Sequence, residues 1–235
     1  MKTLTSTIKT VFVTSLVLLF GIGVNVHASI FEEVPFEFED YDVPTLDWVD
    51  SLDDGYTGST ALGFSVTIGG ATYSYFDMGS NGDIELLTDA GDVPTGYGYG
   101  SISGLTSSDS SATYLLAAYD DLSSEAYGYF GYKLFSDRAV FYYDTETWQD
   151  SYGYLLNNFE VILYDDGNVQ WNFNYADYDL FDYDLFSGLY FGNTQTLLEL
   201  TSDDIPSESS YLAPEPSSLF LLGLSGLALR RKRRT

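Results

Sequence analysis

Residues 169–175 read Val-Gln-Trp-Asn-Phe-Asn-Tyr, large apolar and amide side chains in strict alternation. A period of two is the period of a β-strand, so Val169, Trp171, Phe173 and Tyr175 share one face and Gln170, Asn172 and Asn174 the other. Asp165-Asp166-Gly167-Asn168 precedes the run and supplies turn residues, with Gly167 able to take a positive φ. An apolar face backed by a polar one is the signature of an antiparallel sheet with one side on a core. The pattern recurs. Leu62–Ile68 alternates, Gly69-Gly70 offers a tight hairpin, and Ala71–Met78 answers it. A second hairpin joins Tyr127–Leu134 to Ala139–Tyr143 through Phe135-Ser136-Asp137-Arg138. Further strands are expected at Ile84–Thr88, Thr113–Ala118, Leu185–Phe191 and Thr196–Leu200. No body segment keeps a 3.6-residue period beyond two turns, although Val43–Leu52 could form one short helix. The fold class is therefore all-β: a single antiparallel β-sandwich or barrel-like domain, expected over residues 56–201. About 150 residues can bury one core without disulfides.

The flanks differ in composition. Residues 29–55 form an acidic, aromatic lead-in, where Pro35 and Pro44 oppose a continuous helix and a first strand fits near Val34–Phe38. Residues 202–213, rich in Ser, Asp and Pro, read as a linker. The bases are even more unevenly placed. Lys2 and Lys9 stand near the N-terminus, Arg230, Arg231, Lys232, Arg233 and Arg234 at the C-terminus, and only Lys133 and Arg138 lie between. From Ser29 to Ala213 the chain holds all 35 carboxylates except Glu215. The body therefore sets 34 acids against two bases, −32 where the whole chain is −26. Such a surface repels nucleic acid. There is no Cys, and the one histidine, His27, falls outside the body. A Ser-His-Asp triad, a cysteine nucleophile and a His- or Cys-ligated zinc or haem are excluded. The expectation is a protein that is not an enzyme.

The ends carry addresses. Residues 1–28 have the parts of a secretory signal peptide with a helical core: Lys2 and Lys9, the apolar run Val11–Val24, then Val26-His27-Ala28. Cleavage is expected between Ala28 and Ser29, which makes the Sec translocon and signal peptidase partners. The C-terminus reads Pro214-Glu215-Pro216, a short hydrophobic helix over Ser217–Leu229, and the basic stop cluster Arg230, Arg231, Lys232, Arg233 and Arg234. Thirteen helical residues span about 20 Å, short of the roughly 30 Å hydrocarbon core. The segment can arrest a chain in transit, and it makes a poor permanent anchor. Residues 214–235 resemble the PEP-CTERM sorting signal of Gram-negative bacteria. That resemblance implies recognition of Pro214, Glu215 and Pro216 by an exosortase that removes the tail. It also implies transient insertion of the C-terminal helix in the inner membrane, then a surface or extracellular destination in cells that make exopolysaccharide.

The body resembles the nidogen-like extracellular module over roughly residues 56–175. The residues that carry this are Leu62-Gly63-Phe64, Gly70 with Tyr73, Ser80-Asn81-Gly82-Asp83-Ile84, Ala117–Leu122, and Asn158 to Gly167. Tyr119 stands where the module has Trp, and the cysteine-rich companion modules are absent. The resemblance implies an adhesive or matrix-associated β domain without enzymatic activity.

Carboxylates are the plentiful reactive groups, and two chemistries use them. Calcium takes six to eight oxygen ligands. Asp177-Tyr178-Asp179, Asp182-Tyr183-Asp184, Asp120-Asp121 and Asp53-Asp54-Gly55 are the clusters, and none has the EF-hand pattern. Calcium is thus the one cofactor the sequence leaves open, through a calcium-dependent carbohydrate-binding adhesion module, and no metal ligand is assigned. Glycoside hydrolysis needs two carboxylates about 5–10 Å apart, and no pair stands out among 34. Tyr97 and Tyr99, between glycines in Gly96-Tyr97-Gly98-Tyr99-Gly100, are candidate glycan contacts on an exposed loop.

Overall fold

The structure is a computed structural model, and it describes residues 31–38, 47–48, 55–92, 112–119, 122–123, 128–147, 155–175, 186–192, 196–201 and 207–213. Fourteen strands account for the regular structure of these residues, and no α-helix occurs among them. They are β1 Glu32–Val34, β2 Asp47–Trp48, β3 Thr60–Ile68, β4 Ala71–Met78, β5 Asp83–Leu87, β6 Thr113–Tyr119 and β7 Leu122–Ser123. The series continues with β8 Tyr129–Leu134, β9 Arg138–Thr147, β10 Leu155–Tyr164, β11 Val169–Tyr175, β12 Phe186–Phe191, β13 Thr196–Thr201 and β14 Ser209–Ala213. One sheet runs β1-β14-β11-β10-β9-β8-β2, with β7 also paired to β9; the other runs β13-β12-β6-β5-β4-β3. Every pairing is antiparallel.

The hairpins form where the turn chemistry allows. Gly69 and Gly70 take φ of 62° and 86°, the mirror-image turn that closes β3 on β4. Alternation then sorts the side chains. Phe76, Met78, Ile84, Leu86 and Leu115 of the six-stranded sheet meet Phe141, Tyr143, Phe159, Val161, Leu163, Trp171 and Phe173 of the eight-stranded one in a single buried cluster. The contact is between ring edges and faces, with Phe76 and Phe141 centroids 4.9 Å apart at 74°. Trp171 has no exposed surface, and its Nε1–H donates to the Leu116 carbonyl at 2.9 Å, tying β11 to β6 across the core. Each such large side chain contributes about 1.5–3 kcal/mol by leaving water. The domain is a β-sandwich.

Three expectations about the flanks need correction. The linker over 202–213 ends in structure, because Ser209–Ala213 is β14, inserted between β1 and β11. Ser209 and Ser210 hid it: they look like tether residues, yet both are buried, and the Ser210 hydroxyl accepts the Glu37 N–H at 3.3 Å. The lead-in over 29–55 contributes both outermost strands of the same sheet. Its first strand is Glu32–Val34 rather than Val34–Phe38, since Pro35 cannot donate to a ladder. Phe31 is buried edge-on against Trp171 at 5.4 Å. The helix expected at Val43–Leu52 gives way to β2, where Asp47 and Trp48 pair with Tyr132 and Gly131. Between Val34 and Asp47 the chain goes from one edge of the eight-stranded sheet to the other. Six strand spacings are about 29 Å, and the 12 intervening residues reach about 40 Å. On the way Phe38 packs on Tyr142 at 5.8 Å. The expected signal helix and C-terminal helix lie outside the described residues.

Candidate functional site

Two sets of buried polar side chains stand apart from the core, one on each sheet. The first is built around the turn Ser80-Asn81-Gly82-Asp83 that joins β4 to β5. Gly79 N–H donates to the Asp83 carbonyl at 2.8 Å, and Ala117 N–H donates to the Gly82 carbonyl at 2.8 Å. Gly82 has φ 81°, and a Cβ there would lie 2.6 Å from the Ala118 carbonyl oxygen, so only glycine fits. The Asn81 Oδ1 accepts Leu122 N–H at 3.0 Å, the Ser80 Oγ accepts Gly55 N–H at 3.0 Å, and the Tyr143 hydroxyl donates to the Gly79 carbonyl at 3.1 Å. The Ser-Asn-Gly-Asp motif is thus a junction that fixes β5, β6, β7 and the segment before β3 to one another.

Three carboxylates surround this junction. Asp77 and Glu85 face each other across β4 and β5, and Asp83 begins the second strand. Their exposures are 2%, 5% and 2%. Thr57 donates its hydroxyl to Asp77 Oδ1 at 3.0 Å. Asp83 Oδ1 has no hydrogen-bond partner among the described residues. Burial drives the Asp83 carboxyl up to about 7; its own N–H restrains the rise, and the negative charges of Asp77 and Glu85 add to it. Burial raises Asp77 too, against the Thr57 and Gly58 donors. The two bases of the body are elsewhere: the Lys133 ammonium lies 5.5 Å and the Arg138 guanidinium 4.2 Å from the Phe135 ring centroid.

The second set lies on the outer face of the eight-stranded sheet. Tyr164 donates to Gln170 Oε1 at 3.2 Å, Gln170 Nε2 to Asn172 Oδ1 at 2.8 Å, and Asn172 Nδ2 to Glu160 Oε1 at 2.6 Å. Beside it, Asn174 Nδ2 donates to Asn158 Oδ1 at 3.0 Å, and Asn158 Nδ2 to the Tyr142 hydroxyl at 2.8 Å. Alternation alone would turn these amides towards water, yet Asn158, Glu160, Gln170 and Asn172 are all buried. The signal for this was present in the sequence. Amides rather than charges fill the polar face of β11, and amides can satisfy one another when covered.

Among the described residues no three acidic side chains converge closely enough to hold a metal ion. The sequence-derived clusters Asp53-Asp54, Asp120-Asp121, Asp177-Tyr178-Asp179 and Asp182-Tyr183-Asp184 lie outside the described residues. So do Tyr97, Tyr99, Ala28, Ser29, Pro214, Glu215, Pro216 and the basic cluster Arg230 to Arg234. What the structure does place is the approach to the sorting motif. The strand β14 ends at Ala213, which is buried, and Pro214 follows it directly.

Comparison with known families accounts for both parts of the chain. Residues 212–234 match the PEP-CTERM protein-sorting motif. No curated protein sequence and no solved structure matches the chain. The sorting motif marks an exported protein processed by an exosortase and destined for the surface or the extracellular space. A second family model, NIDO related, matches residues 36–183, more than half of the sequence and wider at both ends than the resemblance read from single motifs. The chain belongs to the NIDO-related family.

Proposed function

We propose that this protein is a non-enzymatic component of the surface or extracellular matrix of a Gram-negative bacterium, delivered by exosortase processing and engaged in adhesion or exopolysaccharide association. The observation that carries the reading is the sorting motif at residues 212–234 in a chain whose residues 36–183 match the NIDO-related family. The body adds support by its chemistry: it lacks Cys and His, and two of its buried acids, Asp77 and Glu160, accept side-chain hydrogen bonds from within the fold. In this reading the precursor inserts its C-terminal segment in the inner membrane until the tail is removed.

The test is to follow precursor mass and location in a host with an exosortase. Deletion of Arg230 to Arg234, or replacement of Pro214-Glu215-Pro216, should leave the full-length chain in the membrane fraction. Unchanged mass and location in these variants would overturn the reading. A calcium-dependent form of the function would find at the Asp83 carboxylate a buried oxygen without a hydrogen-bond partner, although Asp77, Asp83 and Glu85 do not converge closely enough to form a metal site by themselves. It shares an experiment with the pH dependence considered below.

A further inference from the structure

The sorting motif and the domain overlap in a way that bears on when the tail can be removed. The matched motif begins at residue 212, whereas β14 runs to Ala213. Within β14, Ser210 pairs with Val34 on one side and Asn172 on the other, Tyr211 with Glu33 and Trp171, and Leu212 with Glu32 and Gln170. Ala213 pairs with Val169. The backbone of these residues is therefore committed to two neighbouring ladders. A processing enzyme that reads an extended peptide reads it through main-chain groups, as in strand addition to a sheet edge. In docked β14, residues 210–212 are paired on both sides, and Ala213 keeps only its β1 side open.

Distance sharpens the conflict. Between Ala213 and the hydrophobic segment that starts at Ser217 there are three residues, which reach about 10 Å in any conformation. The tripeptide cannot carry the scissile region clear of a folded domain. The N-terminal side is just as short. β1 is antiparallel to β14 with Glu32 opposite Leu212, so the chain enters β1 and leaves β14 at the same end of the pair. Phe31, buried against Trp171, is what holds β1 there.

We infer that β14 is a release strand: the exosortase acts on the form in which residues 209–213 are undocked from β11 and β1, and tail removal precedes closure of the eight-stranded sheet. The inference rests on the exosortase reading of the tail. It makes β1 and β14 the last elements to close, so that a freely folding body competes with its own processing.

A chain without cysteine allows a clean test with paired cysteines that lock β14 to β11. Val169→Cys with Ala213→Cys, and Gln170→Cys with Leu212→Cys, occupy adjacent registers of the antiparallel pair. One of the two is a closely spaced, non-hydrogen-bonded pair suited to a disulfide. In a host with an exosortase and an oxidising periplasm, the oxidised double variants should lose the tail at least ten-fold more slowly than the four single variants. In a host without periplasmic thiol oxidation the same double variants should be processed normally, which separates a lock from a folding defect. Phe31→Ala, which loosens β1, should speed tail removal. Processing of the oxidised variants at the wild-type rate would overturn the inference, as would slower processing of Phe31→Ala. Failure of the unsubstituted protein to be processed would instead overturn the sorting assignment itself.

Discussion

Glu160 and Asp83 are two buried acids in one small sandwich, and their surroundings differ in kind. Glu160, with no exposed surface, receives a donor from Asn172 and ends a chain of amides that starts at Tyr164. Asp83, 2% exposed, shares its space with Asp77 and Glu85, whose negative charges raise it further. Burying an ionised carboxylate costs several kcal/mol unless hydrogen bonds or opposite charge offset it. On the eight-stranded sheet the sequence supplies donors, so the acid is a working member of the network. On the six-stranded sheet burial drives the Asp83 carboxyl up to about 7, and the charges of Asp77 and Glu85 push it the same way. Burial is the largest cause at Asp83 and the neighbouring acids add to it, whereas Glu160 has a donor on the next strand.

The largest expected effect comes from converting the first environment into the second. Asn172→Asp replaces the donor to Glu160 with a second carboxylate, so that two buried like charges meet with no donor between them. The expected loss is about 3–5 kcal/mol at pH 7, the cost of leaving a buried charge uncompensated. Urea unfolding should show it as a lower midpoint at unchanged slope. Much of the loss should be recovered at pH 4, where one of the pair can protonate. A loss below about 1 kcal/mol would mean that the ladder is not holding Glu160 as described.

The reverse conversion comes next in size and has the opposite sign. The folded Asp83 carboxyl titrates near 7 against an ordinary 3.8. The folded state therefore keeps a proton that the unfolded chain releases above about pH 4. Stability from this group is fully present below about pH 4 and is lost as pH rises through 7. The raised Asp77 acts in the same direction. Asp83→Asn carries no charge to bury, so at pH 8 it should be more stable than the parent by about 2–4 kcal/mol, with a flatter stability profile between pH 4 and 8. Thermal unfolding of both proteins across that range measures it. The same series tests calcium. If the cation rather than the proton balances this site, calcium should raise the melting temperature of the parent at pH 8 more than equal magnesium does, and Asp83→Asn should lose that difference.

How far the sequence reveals this contrast depends on which interactions are local. Alternation and turn chemistry are local, and they placed the hairpins around Gly69-Gly70, Ser136-Asp137 and Asp166-Gly167 where they are observed. The two sheets and the burial of Trp171 follow from the same signal. The outer strands do not. β1 and β2 are three and two residues long, too short to show a period, and they are strands because β14 and β8 lie beside them. Ser209-Ser210-Tyr211-Leu212-Ala213 looks like linker until the chain's beginning comes to rest against it. The site was half legible. Ser80-Asn81-Gly82-Asp83 stood out as one piece of the nidogen-like resemblance, but its burial with Asp77 and Glu85 depends on the register Asp77 to Glu85, which no single strand contains. The buried amides of β11 were visible as a pattern and misleading as to exposure, because what covers a face is set by distant parts of the chain.

The smallest predicted effect asks whether the scarce bases take part in either environment. Arg138 contacts Asp137 at 3.4 Å, with 27% and 62% of the two side chains exposed, and its guanidinium lies over Phe135. An exposed pair of this kind contributes about 0–1 kcal/mol, and an exposed cation–π contact about 0.5–1 kcal/mol. Arg138 also lowers the proton affinity of Tyr164, at the head of the amide ladder, although burial outweighs it and the hydroxyl is raised. Among the described residues no comparable cation acts on Asp83. Arg138→Ala should therefore cost about 1 kcal/mol or less and leave the stability profile between pH 4 and 8 parallel to that of the parent. A change in the steepness of that profile would mean that Arg138 neutralises the acids around the Ser80–Asp83 turn from a distance. In that case the contrast between the two faces would be one of degree, set by the field of the whole body rather than by the residues on the opposite strand.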